Sequence, residues 1–330
     1  MRLAAVVAGV GGHVPSTVVT NADLSSRYDT TDEWILGRTG IATRRRVEPG
    51  QSTSDLAVAA GAAALKSAGD DRVDLVILAT TTPDHTCPAT APFVAERLGL
   101  GPVPAFDLSA VCTGFVYGLS VASAMIVAGS ARRVLLIGAD TFSTIVNPED
   151  RAAAAVFGDG AGAVVLRAGE PDEAGAVLGF DLGSDGALAD LIMVRAGGSR
   201  HPERTVEDDR WFAMRGQAVY RHAVLRMTAS ARAAMDVCAW QPSDVDKLVA
   251  HQANARILTT VARELGIEPD RVYANIAAVG NTVAASIPLA LTDATAEGEL
   301  RAGDNVLLTA FGGGATWGAA ALTWPELAVS

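Results

Sequence analysis

Two pairs of short apolar segments repeat at equal spacing, and this echo restricts the fold more than any other feature. VDLVILAT begins at Val73 and VLLIGAD at Val134. VDKLVAHQ begins at Val245 and VLLTAFG at Val306, so each half sets its pair 61 residues apart. Matched segments at matched spacing point to an internal duplication. Between them, AVCTG at 110–114 is approximately mirrored by AVGNT at 278–282. Apolar runs alternate with alanine-rich stretches, the pattern of layered α/β folds. Strands are predicted at 3–10, 73–80, 103–108, 134–138 and 162–166, then at 176–182, 247–250, 272–275, 306–310 and 317–322. Helices are predicted at 53–67, 89–98, 112–128, 215–238, 254–265 and 284–299. The chain divides into halves 1–170 and 171–330, whose corresponding strand ends would converge on one pocket.

Hydrophobic residues make up 49% of the 330, which suits a large buried core and not a disordered chain. A net charge of −11 lacks the basic field of a nucleic-acid binder. Cys87, Cys112 and Cys238 stand far apart, with neither metal-ligand spacing nor a disulfide framework. That usage predicts a reducing, cytoplasmic setting and no metal. The opening MRLAAVVAGVGGHVP is broken by glycines and His13, and reads as a core strand rather than a leader. Gly118, Ser120, Ser123 and Gly129 mark the apolar stretch after Cys112 as a buried helix, not a membrane span.

Cys112 lies where a short strand gives way to that helix. A thiol there is either core filling or a nucleophile, and exposed amides at the helix start would favour thiolate. His251 follows LVA in VAHQAN, and Asn281 sits in AAVGNTVAAS; both belong to strand-end or turn contexts facing a cleft. Thiol, imidazole and neutral amide together suit acyl transfer, and equally a cysteine hydrolase. FGDGAGAVV at 157–165 lacks the GxGxxG spacing and the following helix of a dinucleotide site. AFGGGATWG at 310–318 lacks a phosphate-loop lysine.

The separated motifs TNADL, DEWILGRTGI, the Cys112 segment, DRAAAAVFGDGAGA, HQAN, GNT and AFGGGATWG occur in order along nearly the whole chain. Together they resemble the β-ketoacyl-acyl carrier protein synthase III family of the thiolase superfamily. The resemblance implies a five-layer αβαβα fold, a homodimer, and Cys112, His251 and Asn281 as the catalytic set. It implies no permanently bound cofactor. Acyl-coenzyme A is the donor, and the phosphopantetheine arm of malonyl-acyl carrier protein brings the second substrate. Cys112 would take a short acyl group and pass it to the enolate formed by decarboxylation of the malonyl group.

The same resemblance carries the amides of Cys112 and Gly313 to an oxyanion hole. It carries Trp34, Arg38, Arg151 and Asn254 to the coenzyme A and pantetheine tunnel, although Trp34 and Arg38, four apart, also fit a surface helix. It places Cys87 near the acyl pocket and the dimer boundary, and Phe311 at the acyl pocket; the smaller Cys87 leaves room for a C3–C5 starter. Arg221, Arg256 and Arg263 are expected to form a basic rim for the acidic carrier, with Glu264 departing from the usual charge. The polar stretch 195–210 is either a modified entrance or a solvated excursion. Priming of an aromatic polyketide is the favoured pathway. The alternatives are fatty-acid initiation by the same chemistry, a non-condensing acyltransferase or thioesterase, and a catalytically silent carrier-binding subunit.

Overall fold

The computed structural model describes residues 3–203 and 205–329. Its first sheet runs Ala4–His13, Gly160–Gly169, Arg133–Asp140, Leu75–Ala79 and Ala105–Leu108 in spatial order. The second runs Val177–Ser184, Thr316–Thr323, Asn305–Gly312 and Lys247–Ala250. In both sheets two successive antiparallel pairings lead to a parallel one, Leu75–Ala79/Arg133–Asp140 in the first and Lys247–Ala250/Asn305–Gly312 in the second, so one topology occurs twice; Ala105–Leu108 adds a further parallel edge strand to the first. The expected fifth strand at 272–275 is reduced to one bridge, Val272 with Leu248. The chain leaves the sheet there because Asn275 turns it into the short Ile276–Val279 helix and its side chain is drawn to Asp293.

Helices Gly114–Val127 and Ser286–Ala296 lie between the sheets, and their apolar side chains join residues of both in one central core. Such all-round apolarity suits a helix buried on every side. Thr53–Ser67 covers the outer face of the first sheet, and Gly216–Val237 with Ala255–Leu265 covers the second. The result is five layers, αβαβα. Gly9 and Gly11 let the first strand touch the Thr53–Ser67 backbone: a Cβ at Gly11 would stand 2.3 Å from Ala64 N.

The sequence mirror near the cysteine needs correcting. The offset that carries Val73 to Val245 and Val134 to Val306 carries AVCTG to TVAAS at 282–286, not to AVGNT. The backbone agrees with that offset. Val111 and Val283 both sit in the left-handed region, at φ 50° and 54°, each opening a 3₁₀ turn into a central helix. A β-branched residue rarely adopts this conformation, so the strain marks both turns as built features.

Candidate active site

Cys112 stands on the first of these turns, between the Ala105–Leu108 strand and the Gly114–Val127 helix. Thr113 Oγ1 meets Thr316 Oγ1 at 2.9 Å, and Thr316 Oγ1 donates to Ala110 O at 3.3 Å, tying the turn to the second sheet. Gly312 and Gly313 close over it. A Cβ on Gly312 would lie 2.9 Å from Cys112 N, and one on Gly313 would lie 2.9 Å from Val111 Cγ2. The turn did not make the resting sulfur a thiolate, as its helix-start position suggested. Burial, then the Asp140 charge, holds the thiol up, against a smaller opposing pull from the residue's own N–H.

His251 follows the Lys247–Ala250 strand and is pinned by its backbone N–H to Thr309 O at 2.8 Å. Its Nδ1 lies 2.7 Å from Ser286 Oγ, the first residue of the second central helix. Burial lowers the imidazole pKa to about 3, so the ring is neutral. The tautomer with the proton on Nε2 has the serine hydroxyl donating to Nδ1. Gly280, at φ 73°, brings the chain so close to Val156 that a Cβ would stand 2.9 Å from its carbonyl. Asn281 then pairs with that carbonyl through its backbone N–H at 2.9 Å. Its Oδ1 accepts from Val283 N at 3.0 Å, which leaves Nδ2 as the remaining donor.

These three side chains line one cavity of about 770 Å³, together with Phe311. Trp34, Arg38, Arg221, Asn254 and Arg256 line it as well. Trp34 belongs to the Asp32–Thr39 helix, which starts at a Thr31 cap and stops at left-handed Gly40. Its ring lies under two guanidiniums, Arg38 at 5.0 Å and Arg151 at 4.8 Å. Arg151 also bonds Asp29 O. Asn254 donates to Arg38 O at 3.0 Å and Arg256 to Gly37 O at 2.6 Å, holding the helix end against the second half.

Other expected positions fall elsewhere. Cys87 is exposed and does not line the cavity of its own chain; its loop is fixed by the Ser54 N–H on Asp84 and by the Thr90 and Ala91 N–H groups on Asp107. Arg263 pairs with Glu264 at 3.2 Å and borders a separate apolar groove of about 510 Å³. Gly313 packs behind the cysteine turn rather than lining the cavity.

The sequence reading missed three features. Ser286 was invisible as the partner of His251, although it stands in the quoted AAVGNTVAAS. Phe142, Phe157 and Phe212 form a tight aromatic cluster with Cys112, their centroids 4.6–5.0 Å apart. Phe212 reaches it because Ile192–Val194 and Phe212–Met214 pair as a hairpin across the polar 195–210 stretch, within which Arg204 lies outside the described residues. The third is Asp140, buried at the end of its strand. Among the described residues no cluster of three His, Cys, Asp or Glu suits a metal, and no helix is long and apolar enough to cross a membrane.

Residues 106–186 match the family described as 3-oxoacyl-[acyl-carrier-protein] synthase III, and residues 235–324 match its C-terminal region. The chain is 59% identical to β-ketoacyl-[acyl-carrier-protein] synthase III 3 of Streptomyces coelicolor, over 99% of each chain. Its structure is similar to the crystal structure of 3-oxoacyl-(acyl carrier protein) synthase III from Pseudomonas aeruginosa PAO1. That match has a TM-score of 0.93 and 52% identity, covering 98% of this chain and 99% of the other. The priming β-ketosynthase of the R1128 polyketide pathway is similar at TM-score 0.92 and 33% identity, covering 98% and 97%.

Proposed function

We propose, from the premise that this chain belongs to the 3-oxoacyl-(acyl-carrier-protein) synthase III family, that Cys112, His251 and Asn281 divide its acyl-transfer and condensation chemistry between them. The enzyme is an acyltransferase that condenses an acyl-coenzyme A with malonyl-acyl carrier protein. The observation that carries the residue assignment is the cavity itself, where a thiol from one turn meets a neutral imidazole and an amide N–H₂ from the other half.

In the first step, Cys112 Sγ bonds to the acyl carbon and the bond to the coenzyme A sulfur breaks. The thiol proton leaves with coenzyme A as its thiol. The backbone N–H of Cys112 stabilises the oxyanion, one such donor contributing about 3 kcal/mol. Trp34, Arg38 and Arg151 hold the nucleotide, and Asn254 lines the arm's path. In the second step the malonyl thioester loses carbon dioxide, and its carbonyl oxygen gathers the enolate charge. His251 Nε2–H and Asn281 Nδ2 donate to that oxygen. The enolate carbon bonds to the acyl carbon, the bond to Cys112 breaks, and the released sulfur takes a proton from solvent. Neutral donors suit this step, since a carboxylate there would oppose the developing charge.

Ser286→Ala is expected to slow condensation about tenfold, the loss of roughly 1.4 kcal/mol of hydrogen bonding that holds the reactive tautomer. Loading of Cys112, followed by intact mass, is expected to stay within about twofold of the unaltered enzyme.

The pathway reading moves toward fatty-acid-type initiation. The relatives at 59% and 52% identity carry the general synthase III name. The aromatic cluster beside Cys112 supports a short starter. Arg221 and Arg256 at the cavity supply the carrier's basic contact, with Arg263 at best peripheral. A cytoplasmic homodimer completes the reading. The test combines acetyl-, propionyl- and isobutyryl-coenzyme A with malonyl-acyl carrier protein. A carrier-bound β-ketoacyl product and carbon dioxide are expected. Free acid alone would identify a thioesterase, and no adduct on Cys112 a silent subunit. Preference for isobutyryl over acetyl would restore the polyketide-type starter.

A further inference from the structure

The two strained turns offer equivalent amides to different partners. In the first half the amide is that of Cys112, and in the second that of Ala284. The strand facing the second turn, Arg133–Asp140, ends in Asp140; the equivalent strand facing the first, Asn305–Gly312, ends in Gly312. Asp140 Oδ2 accepts from Ala284 N at 3.1 Å. At the equivalent place a side chain on Gly312 would start 2.9 Å from Cys112 N. One turn therefore has a carboxylate on its amide, and the other has that position cleared by glycine.

The carboxylate is fully buried and closely held. Its Oδ1 accepts from Thr81 N at 2.7 Å, Thr82 N at 3.2 Å, Thr82 Oγ1 at 3.1 Å and Thr80 Oγ1 at 3.3 Å. It thus clamps the turn of the second half to the loop after Leu75–Ala79 in the first. That turn fixes the condensation pair from both sides. Val283 N, one residue before the clamped amide, holds Asn281 Oδ1, and Ser286, two residues after it, holds His251 Nδ1.

We infer that Asp140 is a positioning residue for carbon–carbon bond formation: its hold on the Ala284 amide sets the turn that aims Asn281 and, through Ser286, His251. The inference rests on the function proposed above. In the proposed mechanism, loading draws on none of the hydrogen-bonding groups that this turn holds. Burial raises the Asp140 pKa to about 7 against the donors that hold it, and its ionised form disfavours the Cys112 thiolate.

In Asp140→Asn, an N–H₂ must face either the Ala284 amide or those of Thr81 and Thr82, donor against donor. The experiment measures Cys112 loading by single-turnover intact mass, and condensation with malonyl-acyl carrier protein. It uses the starter that gives most product with the unaltered enzyme. In D140N, condensation kcat is expected to fall at least about tenfold. KM for malonyl-carrier is expected to stay within about threefold, and loading to be equal or faster. Loading and condensation falling together, or condensation unchanged, would overturn the inference. Thr80→Val keeps the carboxylate and removes one donor, so it serves if D140N does not fold. A loss of about threefold in condensation alone is expected, and no selective loss would overturn the inference. An unaltered enzyme that loads without condensing sinks the proposed function instead.

Discussion

Cys112→Ala is expected to abolish the acyl-enzyme: intact mass after incubation with any short acyl-coenzyme A should show no adduct. Condensation should fall at least about 10³-fold, because the acyl group has no covalent station between its two carriers. The variant should fold. The second turn already holds alanine at the equivalent position, Ala284, behind a valine of nearly the same φ. Loss of the small, buried thiol also leaves little space to collapse. An adduct persisting on C112A, at Cys87 or Cys238 for example, would remove Cys112 from the mechanism.

His251→Ala is expected to separate the two half-reactions. It removes one of two donors to the enolate oxygen, which by analogy with oxyanion holes costs about 10²–10³-fold in condensation. Loading should remain within about threefold, since the imidazole is neutral and its observed partner is Ser286 rather than the sulfur. Rapid-quench measurement of both steps checks this. Equal losses in both would make His251 the base that activates Cys112. The lowered pKa adds a sign to the pH response. The buried ring stays neutral down to about pH 3. The unfolded chain takes up a proton near pH 6.5, so this residue withdraws stability as pH falls through that range.

The layered fold was legible because burial leaves a periodic signature. The central helices are apolar on every side, the strands are short apolar runs, and the repeat spacing tied them into two equivalent sets. The 272–275 strand failed because a local apolar run does not say whether a neighbour is in reach along the whole segment. Only Val272 pairs, and Asn275 leaves for a contact with Asp293 on a distant helix. The setting of Cys87 was not legible either. Its loop is held by carboxylates at Asp84 and Asp107, and neither residue identity nor spacing announces which backbone amides they will cap.

The chemical residue types were likewise visible in order along the chain: a cysteine at a strand–helix junction, a histidine after a strand, an asparagine after glycine. Their states were not. Whether Cys112 rests as thiol, or His251 as free base, depends on how much water the surrounding layers remove, and those layers assemble from segments well separated along the chain.

By itself, then, the amino-acid order pointed to the duplication, determined the layered α/β class and displayed the residue types of the candidate site. Local periodicity and spacing are properties of neighbouring residues and survive in one dimension. Tertiary packing alone decided that Ser286 holds His251, that Asp140 occupies one turn amide, and that Gly312 leaves its twin open. Each of those outcomes is a contact between distant segments, and hydrogen bonding and desolvation act only once such segments meet.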